Sequence, residues 1–324
     1  MNYKFSVLGF DRIHTSTAAE NAASVRVIEK IGLRYLKRDV YEEMKTLTSK
    51  DGTKIAFWRS GDGPPLLMVH GATADHSTTW RFVLPELEKR FTVYAMDRRG
   101  RGGSGNASKY ELQREAEDIA AIVDSIGEPV SVIGHSYGAL CAIEASLITT
   151  NIKKMILYEG IPLNGADLYQ PGVLDKLDNL LEADDHEAML YVLFKEIVEM
   201  PEDEIEVVRA QQDAWAIRLG NISTLPRELR TETDYRFEPR RFKNMQTPTL
   251  FLVGGDSPDR EMKHANGVAG ALPHGHVAVM PGQQHAAMYT APEMFVNEVV
   301  RFLNELSRYM KRTWQPPVDT QEND

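Results

Sequence analysis

Cysteine is almost missing from this chain: Cys141 is the only one among 324 residues. A single thiol excludes an intrachain disulfide and any cysteine-based metal cluster. Its place in a helix-forming run favours a small buried hydrophobe over a redox role. Positive charge is also in short supply. The 37 Lys and Arg against 47 Asp and Glu leave a net charge of −10, and no basic stripe offsets it. Electrostatics therefore disfavour nucleic acid and anionic membrane as partners. No apolar run approaches the ~20 residues that would cross a bilayer. The N-terminus lacks the apolar core of a signal peptide. A cytoplasmic location is the default expectation. What is present is a globular composition with length enough for a well-buried core.

From about Lys45 the chain alternates strand-like and helix-like segments. Leu66–Val69 is a short apolar run suited to a buried strand, ended by His70 and Gly71. Trp80–Lys89 has helical spacing, Phe91–Met96 reads as a strand, and Leu112–Ile126 as an amphipathic helix. Pro129–Ile133 and Met155–Tyr158 are further strands. Such alternation predicts a mainly parallel sheet with helices on both faces. It breaks between about Pro162 and Lys243, where Leu177, Leu180, Leu181, Met189, Leu190 and Leu193 recur at helical intervals. This segment reads as a helical insertion between two strands. Within it, the charge run Glu199–Glu206 is expected to be a solvated helix start. The pattern resumes with a strand at Pro248–Val253, a helix at Met262–Leu272, a strand at His276–Met280 and a closing helix over Phe295–Met310. The Pro-containing polar tail after Trp314 is expected to be loosely ordered.

Gly134-His135-Ser136-Tyr137-Gly138 lies between a strand and the helix-forming run Ala139–Ala145. A serine on a sharp strand-to-helix turn is pushed out into a cleft. Glycines flank it because a Cβ would collide with the neighbouring elements. The following helix aims its unpaired N–H groups at an oxyanion forming there. Ser136 is therefore the expected nucleophile. His285 follows a strand within a Gly/Pro loop and is the expected base. Asp256 also follows a strand, giving the chain order Ser, acid, His. His70 and His135 fit backbone-shaping roles better. The oxyanion donors are expected to be the N–H groups of Tyr137 and Ala72. Trp80 and Met288 are read as core residues.

The chain resembles the α/β-hydrolase superfamily from roughly Lys45 to Arg312. Four signatures occur in order: His70-Gly71; Asp97-Arg98-Arg99-Gly100-Arg101-Gly102-Gly103-Ser104, which fits Asp-x-Arg-Gly-x-Gly-x-Ser; Gly134 to Gly138; and Gly-x-x-His ending at His285. The resemblance implies an α/β-hydrolase fold with an eight-stranded, mainly parallel sheet, and makes the helical segment a cap over the active site. It leaves the acid open. Many relatives place it in Gly-x-x-Asp after this strand, whereas Gly254-Gly255-Asp256 sets the aspartate one residue early. Some draw it from the end of the preceding strand, where this chain has Glu159. Asp259 is a third candidate. Strand-end placement favours Asp256, with Glu159 the alternative.

Residues before about Glu43 do not belong to this fold. Thr17 to Tyr35 reads as an amphipathic helix capped by Asn21, a Gly32 stop and a strand. It is similar to the C-terminal end of a GNAT-type N-acetyltransferase, without the Gly-rich loop that would hold acetyl-CoA, so no acetyl transfer is expected. A gene-fusion remnant or an extra helix ranks above a dimerisation element, and a homodimer stays open. The expected layout is a GNAT-like extension over 1–43, hydrolase core over 44–161 and 244–312, a cap over 162–243 and a tail over 313–324.

The expected activity is that of a serine hydrolase cleaving a small ester, thioester or lactone through an acyl-enzyme, with a small-molecule substrate and neither metal nor organic cofactor. The same constellation also supports C–C bond hydrolysis or perhydrolysis. A non-catalytic small-ligand receptor on the hydrolase fold is the reading from another class.

Overall fold

The computed structural model describes residues 43–304. The GNAT-like segment and the tail lie outside the described residues. Eight strands form one sheet: β1 Glu43–Thr48, β2 Lys54–Ser60, β3 Pro65–Val69, β4 Thr92–Met96, β5 Val130–His135, β6 Ile152–Tyr158, β7 Thr249–Gly254 and β8 Gly275–Met280. Their order is β1-β2-β4-β3-β5-β6-β7-β8. β2 runs antiparallel to β4, and every neighbouring pair from β4 to β8 is parallel. The strands from β3 onward are those the apolar runs predict; β1 and β2 are additional to that pattern.

Strand side chains alternate between two cores, as a period of two requires. On β3, Leu66 and Met68 join one core, while Leu67 and Val69 join the other. On β7, Leu250 and Leu252 face the first, and Phe251 and Val253 the second. Because both faces are covered, these strands read as continuous apolar runs. Helices α1 (Leu84–Leu87), α11 (Ala287–Thr290) and α12 (Pro292–Asn304) pack into the first core. Helices α2 (Leu112–Ile126), α3 (Tyr137–Ala145) and α10 (Asp259–Ala271) pack into the second. The helical stretch expected from Trp80 is shorter than its spacing suggested: Trp80–Val83 forms turns, and only Leu84–Leu87 is α-helical.

Between β6 and β7 the chain leaves the sheet and forms α4 Val173–Glu182, α5 His186–Val192, α6 Glu202–Arg209, α7 Gln212–Asn221, α8 Leu225–Asp234 and α9 Pro239–Phe242. Leu177, Leu190, Phe194 and Trp215 from this cap continue the first core. Among the described residues no helix is long and apolar enough to cross a membrane.

The strand order also fixes where a site can form. From β3 the chain moves outward to β4 and then crosses back to β5 on the other side. The loops after β3 and β5 therefore diverge, opening a crevice at their carboxyl ends. Val69 and Gly134 stand opposite one another at that point.

Candidate active site

Ser136 is the residue between β5 and α3, and its backbone is held at φ 54° and ψ −131°. A non-glycine residue there is strained by about 1–3 kcal/mol, so the surroundings must enforce it. They do so by close approach. A Cβ on Gly134 would lie 2.7 Å from Ala139 Cα, and one on Gly138 would lie 2.4 Å from the His70 carbonyl oxygen. Gly160, at φ +82°, has no room for one either: it would sit 2.4 Å from the Ser136 carbonyl carbon. Strand, turn and helix are thus packed backbone to backbone around one hydroxyl.

His285 lies on the loop after β8. Its Nδ1 bonds Glu159 Oε2 at 2.6 Å. The other carboxylate oxygen, Oε1, accepts from the Gly254 N–H at 2.9 Å and from Ser257 Oγ at 2.6 Å. Glu159 follows β6 directly and is itself at φ 53°. Asp256, which strand-end placement favoured, is exposed, and its N–H bonds the Gln283 carbonyl. Asp259 begins α10 and is exposed. Of the three carboxylates, only Glu159 is bonded to His285. The His285 loop is pinned from two further sides: His135 Nε2 donates to the His285 carbonyl at 3.0 Å, and the Tyr158 hydroxyl donates to the Gln284 carbonyl.

The loop after β3 carries Ala72, which lines the pocket beside Ser136 together with Tyr137. Tyr137 is the first residue of α3, where N–H groups have no intrahelical acceptor. His70 accepts the Arg98 N–H on Nε2 at 3.0 Å and therefore donates from Nδ1 to the Gly71 carbonyl at 2.9 Å. Arg98 Nη1 reaches the same carbonyl at 3.2 Å. Burial holds the His70 and His135 rings well below the usual imidazole range. Both serve as neutral fixtures of the backbone, as the sequence suggested.

The pocket is more acidic than the motifs foretold. Glu159, Glu232 and Glu261 line it with His264 and Arg260. Burial pushes Glu232 up to about 7, despite the hydrogen bond from Tyr169 that favours its charged form. Glu204 corrects the reading of Glu199–Glu206 as a solvated helix start. Glu202, Asp203 and Glu206 are exposed, but helical periodicity turns Glu204 inward. Its Oε2 is buried without a hydrogen bond, and burial pushes the carboxyl up to about 7. Burial also pulls the His285 imidazole down. The Glu159 hydrogen bond and the charges of Glu159, Glu261 and Glu204 more than reverse this, so its net shift is upward.

Trp80 is fully buried against Phe295 and His135. Met288, equally buried, also lines the second arm of the pocket. Cys141 is buried, and its thiol is pushed up by desolvation. Asp75, His76 and Asp97 bring ligand-type atoms within 4.8 Å of one another. Their carboxylates are taken up by the fold: Asp97 Oδ1 bonds the His76 N–H and Nδ1, and Oδ2 the Gly103 N–H. Asp75 Oδ1 accepts from the Ser77 and Thr78 N–H groups.

Comparison with known proteins agrees with this architecture. The chain is 31% identical to the crystal structure of an alpha/beta hydrolase from Sphaerobacter thermophilus DSM 20745, covering 80% of this chain and 100% of that one with a TM-score of 0.69. It also superposes on an esterase, RhEst1, from Rhodococcus sp. ECU1013, with 21% identity, coverage of 81% and 99%, and a TM-score of 0.62. An uncharacterized protein of Mycobacterium tuberculosis (strain ATCC 25618 / H37Rv) is 24% identical over 292 residues, which is 82% of this chain and 83% of that protein. The sequence profile of the "Alpha/beta hydrolase family" matches residues 66–298, a span that runs from β3 into α12 and takes in the crevice and its cap. The chain belongs to the alpha/beta hydrolase family.

Proposed function

We propose that this chain is a serine hydrolase that opens a small ester, thioester or lactone through an acyl-enzyme on Ser136. In this reading Glu159 fixes the His285 ring and stabilises it when charged. With Nδ1 committed to Glu159, Nε2 is the nitrogen that takes the Ser136 proton. The Tyr137 and Ala72 N–H groups hold the oxyanion, each such donor contributing about 3 kcal/mol to the transition state. The proton passes from His285 to the leaving group. A water molecule then gives its proton to His285, attacks the acyl carbon and frees Ser136. The observation that carries this reading is the 2.6 Å bond between His285 and Glu159 at strand ends beside a strained serine.

A fluorophosphonate probe tests it. One adduct per chain is expected, located at Ser136 by mass spectrometry and missing in Ser136→Ala. A folded wild-type protein that takes no label would overturn the reading and bring the non-catalytic receptor forward.

The upward shift of His285 gives a second expectation. A general base must be neutral, so kcat/KM should rise with pH through an apparent pKa above the ordinary histidine value of about 6.5. Below it, activity should fall about tenfold per pH unit. Removing the Glu159 charge removes an upward influence and should move this limb to lower pH. A pH profile of a neutral ester checks both statements.

A further inference from the structure

Four arginines of the described chain are buried, and three of them meet carboxylates. Arg98 pairs with Glu115 and Glu228, Arg99 with Asp118 and Asp51, and Arg101 with Glu228. The fourth, Arg218 on α7, is 7% exposed, yet among the described residues no carboxylate lies within ion-pair distance of it. Its hydrogen bonds are two and long: Nη1 to Thr73 Oγ1 at 3.3 Å and Nη2 to the Tyr289 hydroxyl at 3.5 Å. Its Nε is buried with no hydrogen bond. A guanidinium offers five N–H donors and cannot shed its charge in a protein. Burying one without a counter-charge is costly, so the fold keeps it for a group that is not part of the chain.

Its position says which group. Arg218 lines the arm of the active-site pocket that also contains Ser136 and His285, with Phe194, Val198 and Met288 as apolar walls. The arm on the other side of Ser136 carries Glu159, Glu232 and Glu261 with His264 and Arg260 beside them, and Arg260 is paired to Glu199 and Glu261, so carboxylates outnumber cations there. An anionic end of a substrate is repelled from the acidic arm and attracted to the arginine arm. The pocket is therefore electrically polar along its length, with the nucleophile between its two ends.

We infer that the substrate carries a carboxylate a few carbons from its scissile bond, and that Arg218 binds it in the apolar arm. The inference rests on the hydrolase reading and narrows its substrate class. The fixed fork of the guanidinium matches a carboxylate in the plane, and the Thr73 hydroxyl, which accepts from Arg218, has its own proton to donate alongside it. Arg218 is then a specificity-determining residue.

The test compares 4-nitrophenyl hydrogen glutarate with 4-nitrophenyl pentanoate in wild type, Arg218→Met and Arg218→Lys. The wild type should prefer the anionic ester. The ratio of the two kcat/KM values should fall by at least about 30-fold in Arg218→Met, mainly through KM, and be partly restored in Arg218→Lys. A variant in which both esters decline together, leaving the ratio unchanged, would show that Arg218 only positions the Thr73 loop, and would overturn the inference. A phosphonate of the same length separates carboxylate recognition from binding of any anion; equal preference for it refutes the carboxylate assignment.

A second arm needs no turnover. Glutarate binding to Ser136→Ala, measured by calorimetry, should exceed pentanoate binding and weaken by at least about 30-fold on adding Arg218→Met. Arg218-dependent glutarate binding without hydrolysis of either ester would sink the hydrolase reading and leave the anion site standing. Hydrolysis of both esters with no preference would do the reverse. Should Arg218→Met not fold, a wild type that binds glutarate no better than pentanoate is enough to reject the inference.

Discussion

Glu159→Gln is expected to lower kcat by about three to four orders of magnitude, whereas Asp256→Asn should leave it within about twofold. The reason lies in what each oxygen of Glu159 does. Oε1 accepts two hydrogen bonds, from the Gly254 N–H and the Ser257 hydroxyl. In the glutamine variant the amide oxygen takes that place, because only an acceptor satisfies both donors. The amide NH2 then points at His285 Nδ1. Nδ1 must accept instead of donate, the ring proton moves to Nε2, and the ring can no longer take a proton from Ser136. The side chain keeps its size and its place in the pocket, so thermal stability and substrate KM should change far less than kcat. Asp256 is exposed, and among the described residues no hydrogen bond or ion pair joins its side chain to these groups. Steady-state kinetics of the two variants on one neutral ester decide between them. A large loss in Asp256→Asn with Glu159→Gln near wild type would reverse the assignment.

That contrast marks where the sequence stopped being informative. The strands around β3, β5 and β7 could be read because sheets covered on both faces require uninterrupted apolar runs. Ser136 and His285 could be placed because both stand in short glycine-containing turns after such runs. The carboxylate could not be chosen on the same grounds, since Glu159 and Asp256 both follow a buried strand. What separates them is backbone direction. Glu159 adopts φ 53° and Gly160 φ +82°, which aims the Glu159 side chain across β7 toward the His285 loop. A sequence hints at this only through the glycine after the glutamate. Glu204 was hidden for a related reason: in a run of charges, the inward residue is set by helix phase against the core, and composition averages it away. Arg218 is harder still. It is one of 37 Lys and Arg residues, and only the packing of α7 over the loop after β3 distinguishes it. Asn221, one turn further along α7, grips the Thr73 and Ala74 carbonyls of that loop. The same helix thus both supports the loop carrying Ala72 and presents the arginine.

The second large effect concerns the cap. Glu228 on α8 is fully buried, and its Oε1 accepts from both Arg98 and Arg101 at 2.6 Å. Arg98 keeps Glu115 as a second partner, but among the described residues Arg101 has no other carboxylate and otherwise bonds the Thr224 hydroxyl and the Arg99 carbonyl. Glu228→Ala therefore leaves a buried guanidinium without a counter-charge. Breaking a buried pair from one side costs about 3–5 kcal/mol, and for a chain of this size about 10 °C in Tm. Glu228→Gln keeps an acceptor for both arginines and should cost less. The double variant Arg101→Met/Glu228→Met should recover much of the loss, because replacing a buried pair with apolar side chains removes the desolvation penalty along with the attraction. The effect should also reach the chemistry. Arg98 spans from Glu228 to the Gly71 carbonyl, so a guanidinium released from the cap no longer braces the loop that precedes Ala72. Thermal unfolding of the three variants, with kcat measured well below their midpoints, separates the two consequences. If Glu228→Ala unfolds within about 1 kcal/mol of wild type, the cluster is a surface-like contact, and the cap is held mainly by the apolar side chains it contributes to the first core, Leu177, Leu190 and Trp215 among them.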